Sequence, residues 1–312
     1  MAGCTMYDII IIGGGPAGMT AALYAQRNGK SALVIEKTGF GGQITHSPKV
    51  ENYPGTLQMS GNEFADRMLD QILAQGAQIE FERAVAVEDR GEVKVVTTEE
   101  GSAFEGRTVV IATGVKHRML GLEGENELVG AGISFCAGCD GDFYAGQTVC
   151  VAGGGNSALQ EAILLSEKCK EVIILQDLPK LTGEQKLQDV LAARGNVRIL
   201  CDTKIDGLLT EGGALKGVAI SSRSTGEGSR VACDGLFVAI GLIPENEPFK
   251  ALAALNDWGY FDSDERCLTK TPGVFVAGDC RSKGVRQLTT AVADGATAAL
   301  AACRYIDTEL SL

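Results

Sequence analysis

The sequence predicts an α/β protein made of two similar βαβ domains, one inserted into the other. The main observation is an internal repeat with an offset of 140 residues. Apolar and β-branched runs, glycine clusters and helical periodicity predict the same four elements in both copies: strand, loop, helix and strand. The first copy covers 7–12, 13–18, 19–28 and 31–36. The second copy covers 148–152, 153–158, 159–168 and 171–176.

Both loops carry a glycine pattern with a known physical use. The first reads GGGPAG at 13–18, and the second reads GGGNSA at 153–158. The glycines let the backbone turn and approach a pyrophosphate, whose charge then lies on the amides at the helix N-terminus. Two such loops, each between a strand and a helix, predict two Rossmann-like dinucleotide-binding domains.

The order of the remaining strands predicts the domain boundaries. Strands at 93–98 and 108–112 complete the first half, and a strand at 273–277 ends in Gly278-Asp279. The first domain is therefore expected at 1–115 and 244–312, with the second inserted at 116–243. Two chain crossings between compact domains predict a hinge.

Composition narrows the possible partners and the compartment. The 312 residues are 45% hydrophobic, which is enough for two cores. Asp and Glu number 40 against 28 Lys and Arg, for a net charge of −12, which argues against nucleic acid as a partner. No apolar stretch reaches the roughly 20 residues of a membrane span, and no signal peptide precedes the first strand. We expect a cytoplasmic protein without a membrane role.

The sequence Cys136-Ala137-Gly138-Cys139, followed by Asp140, predicts thiol–disulfide exchange. A thiolate is the nucleophile in such exchange, and an adjacent carboxyl group can supply or remove the proton that each step requires. Structural zinc is the alternative, but it needs a second cysteine pair at ligand spacing. The other cysteines are scattered singly, so we expect no metal and mostly buried, reduced thiols: Cys4, Cys150, Cys169, Cys201, Cys233, Cys267, Cys280 and Cys303.

Eight motifs, in order and over nearly the whole length, resemble the low-molecular-weight thioredoxin reductase family. They are GGGPAG at 13–18, GGQI at 41–44, VENYPG at 50–55, ATG at 112–114, CAGCDGDFY at 136–144, GGGNSA at 153–158, GVFVAGD at 273–279 and RQLTTA at 286–291. The resemblance implies a flavin-dependent disulfide reductase that acts on thioredoxin and forms a homodimer through its FAD-binding domains.

The resemblance also implies an FAD site in the first domain. Glu36 would bind the adenosine ribose hydroxyls, and Asn52, Asp279, Arg286 and Gln287 would flank the isoalloxazine and ribitol. A helix that begins after Gln287 and runs through Tyr305 would direct its positive end at the flavin. The full implied set is Gly13, Gly15, Pro16, Ala17, Gly18, Glu36, Gly42, Gln43, Asn52, Ala112, Thr113, Gly114, Gly278, Asp279, Arg286, Gln287 and Leu288.

In the resembling enzymes the two cysteines have different roles. Cys139 corresponds to the cysteine that receives electrons from the flavin, and Cys136 to the one that attacks the thioredoxin disulfide. Asp140 corresponds to the acid–base catalyst. The two domains of these enzymes rotate, so that the dithiol alternately meets the flavin and the protein substrate.

The chain departs from the family where NADPH-dependent members bind the 2′-phosphate. Those members carry an H-R-R pattern and a further arginine after the second strand of the inserted domain. The corresponding stretch of this chain is QDLPKLT at 176–182, which has no arginine, and Asp177 would repel a phosphate. We therefore expect a donor other than NADPH.

Two donors fit this departure. NADH lacks the phosphate, and reduced ferredoxin serves a nicotinamide-independent subgroup of the resembling reductases, since FAD can accept electrons singly. Ferredoxins are acidic, so ferredoxin requires a basic patch, for which Lys116, His117 and Arg118 are candidates. His46 and His117 receive no catalytic role. A dithiol oxidase that passes electrons to oxygen, an ordinary NADPH-dependent reductase and a non-catalytic flavoprotein remain alternatives.

Overall fold

A computed structural model describes residues 6–47 and 49–309. The chain divides into two compact units. The first comprises Met1–Lys116 and Ile243–Leu312, and the second comprises His117–Leu242. Cys4, one of the scattered cysteines, lies outside the described residues.

Strands form the centre of both units. Before and at the first crossing they are β1 (Met6–Ile12), β2 (Ala32–Ile35), β3 (Gln78–Glu80), β4 (Ala84–Asp89), β5 (Lys94–Thr98), β6 (Ala103–Ile111) and β7 (Val115–His117). Up to the second crossing they are β8 (Ile133–Ser134), β9 (Thr148–Ala152), β10 (Glu171–Leu175), β11 (Val197–Leu200), β12 (Thr203–Glu211), β13 (Ala214–Ser222), β14 (Gly228–Ala232), β15 (Gly235–Val238) and β16 (Leu242–Pro244). The strand β17 (Val274–Val276) follows.

The helices separate these strands. They are α1 (Pro16–Arg27), α2 (Gly61–Ala74), α3 (Glu125–Leu128), α4 (Ala137–Asp140), α5 (Asn156–Ser166), α6 (Gln185–Ala192) and α7 (Leu288–Glu309). Among the residues that the structure describes, no helix is both long and apolar enough to cross a membrane.

The first unit is built on a sheet with the order β3-β2-β1-β6-β5-β4, and β17 also pairs with β6. Strands β1, β2, β6 and β17 are parallel to one another where they pair, and the apolar run Ile9–Ile12 is buried at the centre of this sheet. Parallel strands end at the same sheet edge, where ligands bind in open α/β sheets. This edge therefore collects Gly13, Glu36, Ala112 and Ala277, the residues that directly follow these strands.

The second unit repeats this arrangement on a smaller scale. Its parallel sheet has the order β11-β10-β9-β15-β8, and β12, β13 and β14 form a separate antiparallel sheet. The carboxyl edge of the parallel sheet collects Gly153 after β9, Gln176 after β10 and, two residues after β8, Cys136. The topology thus places the cysteine motif at the same edge as the second glycine loop.

The predicted α/β class is confirmed, and the element boundaries need correction. The helices predicted from residues 19 and 159 begin at Pro16 and Asn156, inside the glycine motifs. Proline is well suited to the first helical position because its missing N–H would have no partner there. The strand predicted at 108–112 is the second half of the longer β6.

Candidate functional site

The two cysteines of the C-x-x-C motif are joined to each other. Cys136 and Cys139 form a disulfide with a Cα–Cα distance of 5.3 Å. Cys136 precedes the short helix α4, and its carbonyl accepts hydrogen bonds from the amides of Cys139 (3.2 Å) and Asp140 (3.0 Å). Both cysteines and Asp140 therefore belong to the same hydrogen-bonded helical turn.

Asp140 is a buried carboxyl group that is only partly hydrogen-bonded. Its Oδ2 accepts a hydrogen bond of 2.6 Å from the Ser134 hydroxyl, whose oxygen in turn accepts the Cys136 amide at 3.2 Å. Among the described residues, Asp140 Oδ1 has no hydrogen-bond partner and is buried. Burial raises the pKa of Asp140, and the Ser134 hydrogen bond opposes this in part. A carboxyl group whose pKa is raised holds its proton to higher pH than an ordinary aspartate, which suits a proton donor beside a thiol.

Sequence reasoning assigned no role to three further residues of this site. Ser134 and Glu161 lie outside the motifs, whereas Tyr144 ends the motif CAGCDGDFY. Ser134 ends β8 and links the Cys136 backbone to Asp140. Glu161, on α5, accepts a hydrogen bond from the Ala137 amide. Burial and the nearby Asp140 raise the pKa of Tyr144 to about 12. The available signal was topological, because the helix after the second glycine loop begins at the sheet edge that carries the cysteines.

The other described cysteines are not joined in disulfides. They are buried, apart from the half-buried Cys201, as expected for reduced structural thiols: Cys150, Cys169, Cys233, Cys267, Cys280 and Cys303.

The first glycine loop is arranged for a dinucleotide. Gly13 has a φ of 111°, and a Cβ there would overlap the carbonyl oxygen of Ala112, so only glycine fits. Glu36 is 8% exposed, and its carboxylate accepts the amides of Gly14 at 2.7 Å and Thr38 at 2.9 Å. Gly15 precedes α1, and no side chain in the described ranges caps the start of this helix. A Cβ on Gly15 would meet no atom within 4 Å, so there is open space at the helix N-terminus for a phosphate.

Asp279 supports the same assignment at the other end of the site. Burial raises the pKa of its carboxyl group, and its buried Oδ1 has no hydrogen-bond partner in the described part of the chain, although Lys283 Nζ lies 3.3 Å away. A carboxylate oxygen accepts more than one hydrogen bond, so Asp279 Oδ1 has acceptor capacity left for a ligand beside this ion pair. The hydroxyls of a ribityl chain are suitable donors, so these residues fit FAD.

Arg286 contacts Asp279, and the predicted flavin residues Asn52 and Gln287 contact each other. The guanidinium of Arg286 lies 4.1 Å from the centroid of the Tyr260 ring and donates to the Asp279 carbonyl at 3.3 Å. Gln287 Oε1 accepts from Asn52 Nδ2 at 3.4 Å. The following residue, Leu288, begins α7, and this helix runs through Glu309, past its predicted end.

Other predicted residues lie around the first glycine loop. Gly42 and Gln43 open a 3₁₀ turn, and the Gly41 amide donates to the Gly14 carbonyl at 2.9 Å. Thr113 Oγ1 donates to Asn246 Oδ1 at 2.9 Å. The structure therefore brings these predicted residues to one sheet edge: Pro16, Ala17, Gly18, Ala112, Gly114 and Gly278.

The second glycine loop has the same backbone and a different strand end. Gln176 lies where Glu36 lies in the first copy, and its amide donates to the Lys180 carbonyl at 3.3 Å. A Cβ on Gly154 would lie 2.6 Å from the Gln176 side chain. The next residue, Asp177, pairs with Arg223 at 3.0 Å on the surface. An arginine is thus present near the strand end, but a carboxylate is already bound to it.

The fold and the dithiol together define a disulfide oxidoreductase with two dinucleotide-binding folds. The sequence profile described as pyridine nucleotide-disulphide oxidoreductase matches residues 7–295. Thioredoxin reductase from Listeria monocytogenes is 39% identical over 97% of this chain and 94% of its own length, and that from Bacillus subtilis is 38% identical over 97% and 95%. The chain belongs to this family, within the low-molecular-weight thioredoxin reductases.

A solved structure agrees with these sequence relatives. Thioredoxin reductase from Streptococcus pyogenes is 37% identical, with a TM-score of 0.92 over 97% of this chain and 99% of that one. The protein is therefore a flavin-dependent oxidoreductase with two Rossmann-like domains, as the sequence predicts.

Proposed function

We propose that this protein is a thioredoxin-disulfide reductase. The observation that carries the proposal is the Cys136–Cys139 disulfide on a helical turn with the buried, half-satisfied carboxyl group of Asp140. Once the disulfide is reduced, the Cys136 thiolate attacks a thioredoxin sulfur, and a mixed disulfide forms as the thioredoxin disulfide breaks. Cys139 then attacks Cys136 and restores the starting disulfide. Asp140 protonates the departing thiolate and is then reprotonated from solvent.

The first unit is the proposed FAD-binding domain. Glu36 would hold the adenosine ribose, the open amides at the start of α1 the pyrophosphate, and Asp279 the ribityl chain. FAD, once bound and reduced, would supply the two electrons that convert the Cys136–Cys139 disulfide to the dithiol. The same proposal includes a homodimer formed through these domains, which analytical ultracentrifugation tests.

The proposed donor is not NADPH. The second loop lacks an arginine fork for the 2′-phosphate, and the ion pair with Asp177 neutralises Arg223. The first unit instead carries a local excess of positive charge. Lys116 lies 3.0 Å and Arg83 3.1 Å from Glu245, which also pairs with Lys37. Three cations against one carboxylate favour an acidic donor such as ferredoxin, with NADH as the second candidate.

Insulin reduction coupled to a cognate thioredoxin tests both parts of the proposal. The assay is run with reduced ferredoxin, NADH and NADPH, alongside anaerobic stopped-flow bleaching of the flavin band. We expect rapid bleaching and turnover with ferredoxin or NADH. Turnover with NADPH alone would refute the donor assignment. Bleaching without thioredoxin reduction, together with dithiol-dependent oxygen uptake, would instead identify a dithiol oxidase.

A further inference from the structure

Glu161 has a place in the dithiol site that its sequence position does not reveal. It lies in the middle of α5, which packs against α4, and its carboxylate accepts a hydrogen bond from the backbone amide of Ala137. Ala137 directly follows Cys136 and opens the helical turn that ends at Asp140. The amide that Glu161 binds is thus the first amide of the turn between the two sulfurs.

This hydrogen bond places a second carboxyl group, which is half-buried, beside the motif. The pKa of Glu161 is raised overall, because burial and the nearby Asp140 raise it by more than the Ala137 amide lowers it. The amide favours the ionised form of Glu161 over the neutral form. The hydrogen bond also occupies the Ala137 N–H. Without Glu161, this amide at the start of the helical turn could stabilise a neighbouring cysteine thiolate.

We propose that Glu161 is a positioning residue whose negative charge keeps the Cys136–Cys139 dithiol strongly reducing. This inference rests on the redox role of the dithiol proposed above. Reduction of the disulfide takes up two electrons and two protons to give two thiols, one of which then ionises for attack. A carboxylate that occupies the Ala137 amide adds negative charge next to the turn and disfavours that thiolate. A less stable reduced form transfers its electrons to a partner disulfide more readily.

The groups that act on this carboxylate belong to the elements around it. The causes of its perturbed pKa are burial, the Ala137 amide of α4 and the carboxyl group of Asp140. Asp140 is in turn bonded to Ser134 of β8, and its charge also acts on Tyr144. All of these belong to the second unit. The test must therefore separate the charge of Glu161 from that of Asp140.

The test is the FAD-loaded Glu161→Gln variant, which keeps an acceptor oxygen for Ala137 and loses the charge. Variant and wild type are equilibrated anaerobically in buffers of oxidised and reduced dithiothreitol, and the free thiols are counted by mass after alkylation. We expect the equilibrium to move about tenfold toward the dithiol. The pH profile of Cys136 alkylation should move to lower pH by about one unit. Because the variant retains the Asp140 carboxyl group, this shift reports the charge of Glu161.

Two variants complete the test. Glu167→Gln removes an exposed carboxylate at the end of the same helix, where it pairs with Arg194, and should leave the equilibrium within about twofold of wild type. Glu161→Asp keeps the charge and should stay within about threefold. An unchanged equilibrium and alkylation profile in Glu161→Gln would overturn the proposal. Equal shifts in the Gln and Asp variants would also overturn it, since geometry alone would then explain them. Neither thioredoxin nor ferredoxin, NADH or NADPH enters these measurements, so their result is independent of the proposed substrate and donor.

Discussion

The two glycine loops of this chain share a backbone and differ at the residue that ends the next strand. In both loops the first glycine has a φ above 100° and contacts a carbonyl of the neighbouring strand's end, Ala112 for Gly13 and Ala239 for Gly153. In the first loop Glu36 accepts the Gly14 amide. In the second, Gln176 bonds to its own segment instead.

This difference distinguishes residues that the backbone requires from residues that bind a nucleotide. Each first glycine is required because a Cβ would overlap backbone, whether or not a nucleotide binds. A retained glycine pattern is therefore weak evidence for a working nucleotide site. The residue at the strand end is stronger evidence, because in a dinucleotide site its side chain binds the ribose hydroxyls.

If electrons pass from the first unit to the dithiol, the largest effect comes from breaking the dithiol itself. Cys139→Ser should lower insulin reduction by at least about 10³-fold, because Cys136 is then unable to close the disulfide. FAD content, measured by absorbance, should remain at the wild-type level, since the cysteines and the flavin loop belong to different units. Residual turnover above a few per cent would show that another thiol carries the electrons.

The next largest effect concerns proton transfer beside the dithiol. Asp140→Asn should lower turnover by about 10²-fold or more, because asparagine has no proton to exchange with the sulfurs. In wild type, the protonated fraction of Asp140 falls as pH rises through its raised pKa, so the proton-donating step should slow along that limb. A steady-state pH profile of the variant should lack this limb. An unchanged profile would assign the limb to another group.

The two strand ends can be compared directly by matched substitutions. Glu36→Ala removes the acceptor of two amides and should weaken FAD binding by about 10- to 100-fold. Gln176→Ala removes the equivalent side chain from the second loop and should leave flavin affinity and turnover with the physiological donor within about twofold. Flavin fluorescence on dilution gives the affinity. A large loss of turnover in Gln176→Ala would mean that the second loop does bind a nucleotide.

Motifs and repeat spacing were sufficient to predict the α/β class, the glycine loop between β1 and α1 and the pairing of Cys136 with Cys139, because each depends on local backbone geometry. The contacts of Ser134 and Glu161 were not predictable in this way. Glu161 is 24 residues from Ala137, and only the parallel order of β8, β15 and β9 brings the two together. The Asp177–Arg223 pair likewise joins segments 46 residues apart. Single-sequence patterns carry no information about such pairings.

The donor assignment can be sharpened by restoring the absent positive charge. Asp177→Arg combined with Leu178→Arg removes the partner of Arg223 and supplies two guanidinium groups at the strand end. We expect flavin reduction by NADPH to become at least about tenfold faster, since each charge-assisted hydrogen bond contributes about 1.5–3 kcal/mol. Stopped-flow bleaching gives the rate. Asp189→Arg, at an exposed position on α6, is the control for added charge alone. A wild-type rate with NADPH already equal to that of the double variant would contradict the assignment.

The smallest expected effect is on stability, and it reports on the environment of the dithiol and not on either loop. Because burial raises the pKa of Asp140 above its unfolded value, the native state binds the proton more tightly than the unfolded state. The contribution of Asp140 to the unfolding free energy is therefore greatest at acid pH and is lost as pH rises through the raised pKa. Asp140→Asn stays neutral, so its thermal midpoint at about pH 8 should exceed that of wild type by about 2 °C. The difference should shrink toward about pH 4, close to the ordinary pKa of an aspartate. A midpoint gap that is independent of pH would show that the carboxyl group is not titrating in this range.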